Sequence, residues 1–156
     1  MIYIFRIISL FGYFLLILSL TNCTTATKTA QYESEEINTL ILKSVHHTQS
    51  SQFDLARLNI EKALNIDNQD LEANNIAGLL YGKIKENALA IHHFSIALSV
   101  SKDDPSTLNN YANYLCDSGN KAQAIDLLQR RLLTMTIRNE KLLTLMRGCA
   151  LYEYQT

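Results

Sequence analysis

The chain has one proline in 156 residues, no tryptophan and five glycines. That scarcity of turn-formers favours helices over a turn-rich sandwich of short strands. Neither sign of charge dominates: 14 Lys and Arg stand against 15 Asp and Glu, a formal net charge of −1. No basic cluster appears, so the electrostatic footprint of a nucleic-acid binder is missing. There is no glycine-rich phosphate loop and no Cys-x-x-Cys pair. What is present is apolar content, 47% of residues, enough for one helical domain with its own core.

The first 22 residues stand apart. Arg6 precedes an apolar run over 7–20, interrupted only by Ser9, Gly12 and Ser19. A basic start followed by about 14 apolar residues reads as a signal peptide, since a spanning helix needs about 20. Leu20-Thr21-Asn22-Cys23 resembles the lipobox of bacterial lipoproteins, in which the cysteine becomes the lipidated first residue. Leu20 and Thr21 fit that pattern, whereas Asn22 stands where a small residue is usual. The reading preferred is a signal peptide over 1–22 with Cys23 lipidated; the alternative is an uncleaved signal anchor. Either puts the folded part on the far side of the inner membrane. Thr24 stands where an aspartate marks inner-membrane retention in such lipoproteins, which favours an outer-membrane anchor facing the periplasm. The polar, threonine-rich stretch 23–36 is expected to be a flexible tether.

A search for internal repeats organises the rest, residues 37–156. Ala56, Ala90 and Ala124 recur every 34 residues, with Ile60, Phe94 and Leu128 four positions later. Ala63 and Ala97 follow, then Arg131. Ser44, Gly78 and Ala112 form a second small series, and Tyr81 and Leu115 a large one. Helices are expected over 35–49, 52–65, 69–83, 86–100, 105–117, 121–135 and 139–154. Asp104-Pro105 marks a helix start, and Gly119 in "DSGN" supplies a left-handed turn residue. This spacing resembles the tetratricopeptide repeat, an all-α superhelix of about three and a half helical hairpins here. The last helix, 139–154, has no following partner. It acts as a cap, or reflects a chain shorter than its relatives, or is covered by a partner.

The third unit reads LNNYANYLCDSGNKAQAIDLL and is followed by MRGCALYEY. Together with the lipobox, these stretches resemble the PilF/PilW family of type IV pilus lipoproteins, the pilotins and pilus-stability proteins. Leu108, Asn109, Asn110, Tyr111, Leu115 and Cys116 match the family motif; Ala112 replaces its glycine and Tyr114 its phenylalanine. The resemblance implies a non-enzymatic scaffold acting on the secretin, the outer-membrane pore of the pilus. A generic periplasm-facing scaffold for cell-envelope enzymes is the alternative, supported by the fold alone.

Site residues follow from the repeat. Register along the first helix of each unit projects Ile41, Val45, Asn75, Leu79, Asn109, Asn113 and Asp117 into the inner groove. Asparagine amides there can both donate to and accept from an extended peptide; a solvated polar concavity is the plainer reading. With no basic cluster, a clamp for a C-terminal carboxylate is not expected. Cys116 and Cys149 fall 33 apart, on the first helices of successive units, and a disulfide requires Cα atoms about 4.4–6.8 Å apart. Export would favour oxidation, so a bridge is preferred over two unpaired core cysteines. His46-His47 and His92-His93 read as packing and surface residues, since neighbours on a helix diverge by about 100°. The acidic "ESEE" and "KDD" runs read as solvated ends and caps. No metal, cofactor or catalytic residue is implied.

Overall fold

The computed structural model describes residues 28–134; Cys23, Cys149 and the expected helix 139–154 lie outside them. Six helices and no strand are found among the described residues: α1 (28–49), α2 (Phe53–Ile66), α3 (Leu71–Lys83), α4 (Asn87–Val100), α5 (Pro105–Asp117) and α6 (Lys121–Thr134). None of these is long and apolar enough to cross a membrane. Five of the six starts fall within two residues of expectation. The exception is α1, which begins at residue 28, so that 28–36 is helical where a tether was expected. Its side chains are exposed and gain nothing from packing. Local propensity accounts for it: Ala30, Gln31, Glu33, Glu35 and Glu36 are strong helix formers, uninterrupted by Gly or Pro. The compact unit that carries the core begins at Ile37.

The 34-residue period is written into the backbone as well as the side chains. Ser51, Lys85 and Gly119 all have positive φ, at 58°, 67° and 87°. After each, the amides of Gln52, Glu86 and Asn120 reach back five residues to the carbonyls of His47, Tyr81 and Leu115, at 2.8–2.9 Å. This is a helix C-terminus closed by a left-handed residue. Only Gly119 announces it by residue type. At the opposite boundaries Asp70 and Asp104, again 34 apart, cap α3 and α5. Each carboxylate accepts a backbone N–H three residues on, from Ala73 and Thr107, at 2.7 Å. Pro105 occupies the first turn of α5, where its missing N–H costs nothing.

Two clusters make the core. Ile37, Leu40 and Ile41 of α1 pack with Ala56, Ile60 and Ala63 of α2, and with Ala73, Ala77, Leu80 and Tyr81 of α3. Leu108, Ala112 and Leu115 of α5 pack with Ala124, Leu127 and Leu128 of α6, with Cys116 half-buried against them. Tyr114 packs against both clusters. The small residues in register, Ala56, Ala90 and Ala124, are fully buried, as are Ile60 and Phe94. Burial of a side chain the size of Phe94 contributes roughly 1.5–3 kcal/mol. Its ring lies against Gly78: a Cβ on that glycine would sit 2.7 Å from the Phe94 ring. The first helix of the unit approaches the second only because nothing projects there. At the Ala63 and Ala97 register the third unit has Arg131, which donates to the Pro105 carbonyl at 2.5 Å and ties α6 to the start of α5.

Candidate partner-binding groove

The first helices of the second and third units, α3 and α5, pack side by side, and their seam opens into two concavities that share Asn110. The larger, about 480 Å³, is lined by Leu79, Gly82, Lys83, Lys85 and Asn87 on one side and Asn113, Tyr114, Asp117 and Ser118 on the other. The smaller lies toward the helix N-termini, between Glu72, Asn75 and Ile76 and the segment Asp104, Ser106 and Asn110. Its floor is an amide ladder: Asn110 donates to the Asn75 side-chain oxygen at 3.2 Å, and Asn75 donates to the Ser106 hydroxyl at 3.4 Å.

Of the expected groove residues, Leu79, Asn113 and Asp117 line the larger concavity. Asn75 lines the smaller one, though it is nearly buried and its amide is committed to the seam. Asn109 is half-buried and lines neither. Ile41 does not face a groove; it is 2% exposed and belongs to the core, with Val45 packed against it. The reason is register. One residue further rotates a helical side chain by about 100°: the successors Leu42 and Ile76 are the more open positions, Leu42 being 69% exposed, and Asn110 rather than Asn109 lines the concavities. Asn110, Tyr114, Lys83 and Lys85 were missed for the same reason, or because they close helices rather than run along them. The two lysines do gather at one end of the groove, although the chain as a whole has no basic cluster.

Tyr114 in the groove lining is backed by two further aromatic rings. Phe94 stacks on Tyr111 with ring centroids 4.9 Å apart and lies 5.8 Å from Tyr114. Tyr114 covers Gly82, where a Cβ would sit 2.8 Å from its ring, and its hydroxyl donates to the Asn87 carbonyl at 3.4 Å. Burial raises the phenol pKa of both tyrosines; for Tyr111 a hydrogen bond with Ser95 works in the opposite direction.

Behind the groove a polar cluster joins α2, α3 and α4. The buried Asn74 amide donates to the carbonyls of Asn68 and Asp70 at 3.0 and 2.8 Å, and its oxygen lies 3.0 Å from His93 Nδ1. With both amide hydrogens so used, Asn74 accepts from a protonated Nδ1. The His93 ring stacks on Tyr81, 5.3 Å away. Tyr81 donates to Glu61 at 3.2 Å, and burial, with Glu61 next, pushes its phenol up to about 12. Arg57 lies over the Tyr81 ring and pairs with Glu86. In the first unit His47, which replaces that tyrosine, pairs with Gln52 at 2.7 Å. No group of three metal-ligating side chains occurs among the described residues.

No family model and no curated protein matches the chain in sequence. Solved structures do match in fold. PilF of Pseudomonas aeruginosa superposes with a TM-score of 0.71 at 20% identity, over 79% of this chain and 56% of its own. PilW, a widely conserved type IV pilus biogenesis factor, gives 0.68 at 23% identity, over 76% and 55%. The first tetratricopeptide domain of Spaghetti (RPAP3), bound to an HSP90 peptide, gives 0.67 at 14%, over 78% and 96%. The chain therefore spans a little over half the length of PilF and PilW. In fold it is a PilF/PilW-like tetratricopeptide protein, an all-α repeat superhelix.

Proposed function

We propose that the chain is a non-enzymatic lipoprotein scaffold of type IV pilus biogenesis that holds a protein partner, the secretin, in the groove between α3 and α5. One observation carries the reading. The segment LNNYANYLC, on which the family resemblance rests, builds the groove: Asn110, Asn113 and Tyr114 line it, and Tyr111 stacks behind it on Phe94. Leu108, Ala112 and Leu115 of the same segment hold it on the core. Structural neighbours PilF and PilW support the pilus context, and the peptide-bound neighbour supports a protein ligand.

The proposal includes a lipid anchor at Cys23 and residence at the outer membrane, facing the periplasm. It also includes a disulfide between Cys116 and Cys149, favoured by their spacing and by the position of Cys116 at the end of α5 against the second core. The test is deletion of the gene, followed by assay of secretin multimers and surface pili. Loss of both, restored by the wild-type gene, is expected. Normal multimers together with normal pili overturn the reading.

A further inference from the structure

The groove is electrically polar along its length, and that polarity specifies an occupant. At the N-terminal end of α3 and α5 it presents Glu72 and Asp104; at the C-terminal end Lys83 and Lys85 outnumber Asp117, which leaves that end net positive. Asp104 spends one carboxylate oxygen on the Thr107 amide and keeps the other. Among the described residues neither Glu72, Lys83 nor Lys85 enters an ion pair. Between the charged ends stand two amides with bonding capacity to spare. Asn110 uses its nitrogen on Asn75, which leaves its oxygen open, and Asn113 has no hydrogen bond to the described residues. An amide with both a donor and an acceptor matches a peptide backbone.

We propose that the partner segment in this groove is an extended peptide with a basic side chain at the Glu72/Asp104 end and an acidic side chain at the Lys83/Lys85 end. The spacing is set by α3. Glu72 and Lys83 are 11 residues apart, about 16 Å at about 1.5 Å rise per residue. An extended chain advances about 3.3 Å per residue, so the two charges lie about five residues apart. The middle of the peptide contacts Asn110 and Asn113 through its backbone, so its side chains there are weakly specified. Charge complementarity of this kind fixes register and raises the encounter rate. It also predicts binding that weakens with salt.

This rests on the groove being the binding surface, as in the function proposed above, but not on the partner being the secretin. The test is selection of random decapeptides displayed on phage against the full chain in detergent, with Lys83→Glu/Lys85→Glu and Glu72→Lys as comparison proteins. Enriched peptides are expected to carry opposite charges four to six residues apart. They should lose at least tenfold in affinity on the double lysine variant and on Glu72→Lys, while circular dichroism shows both variants folded. Three results overturn the proposal: enrichment without that charge pair, binding indifferent to the substitutions, or no enrichment at all. Capture of the secretin by the folded Lys83→Glu/Lys85→Glu protein with unchanged affinity would also overturn it and leave the pilus reading intact. Failure of the wild type to capture secretin, with the peptide pattern present, would do the reverse.

Discussion

A Cβ placed on Gly78 would lie 2.7 Å from the Phe94 ring, which is itself stacked on Tyr111 at 4.9 Å. The ring has little room to move aside. In an open helix Gly→Ala gains about 1 kcal/mol. Here overpacking, at roughly 1–3 kcal/mol, outweighs it. Gly78→Ala is expected to lower the melting temperature. In the equivalent slot of the first unit, Ser44 is fully buried and its hydroxyl finds no partner. Removing an unsatisfied buried hydroxyl is neutral or favourable, so Ser44→Ala should leave the melting temperature unchanged or raise it. A higher melting temperature for Gly78→Ala contradicts the account of this contact.

The turn at Gly119 makes a contrasting case. Nothing lies within 4 Å of its missing Cβ, but its φ is +87°. Gly119→Ala should therefore destabilise by about 1 kcal/mol through backbone strain alone. In register with it, Ser51→Gly should stabilise by up to about 1 kcal/mol, because Ser51 carries a φ of 58°. Chemical denaturation of the two variants measures both signs; matching signs would refute the periodic left-handed turn.

These two glycines show how far the sequence was legible. The 34-residue period of Ala56, Ala90 and Ala124 revealed the repeat, and burial of all three explains why. The turn was legible only at Gly119, since Ser51 and Lys85 adopt the same backbone without the residue type that signals it. The groove was legible in part. Register places Leu79, Asn113 and Asp117 in the groove, whereas Ile41 lies one residue off the open face, in the core. Amphipathic patterns separate inside from outside, but a first helix is flanked by neighbours on both sides. Its narrow open stripe is then set by tertiary packing rather than by hydropathy.

His93 makes stability depend on pH. Burial, and then the charge of His92, lowers its pKa below the ordinary value of 6.5. The fold therefore favours the neutral ring, and the unfolded chain takes up a proton first on acidification. The stability this site contributes is fully present above pH 6.5. It declines as pH falls from there toward the depressed folded value. Melting curves between pH 8 and pH 5 should show wild type losing its advantage over His93→Gln below pH 6.5. An advantage that grows on acidification contradicts the assignment.

The proposed Cys116–Cys149 disulfide predicts that a full chain lacking Cys23, taken directly from the periplasm, has no reactive thiol under denaturing, non-reducing conditions. Reduction should lower its melting temperature, since closing a loop of this length contributes roughly 3–4 kcal/mol in the chain-entropy account. Two labels per chain before reduction would rule the bridge out.

The central claim is that the seam between α3 and α5 receives the secretin. A photo-crosslinking amino acid at Asn113, inside the groove, tests it in cells that assemble type IV pili, with the same group at the exposed Leu58 of α2 as control. The account predicts a crosslinked species containing secretin from position 113 and not from position 58. Adducts from position 113 that contain cell-envelope enzymes and no secretin, or secretin adducts equally abundant from both positions, would contradict it.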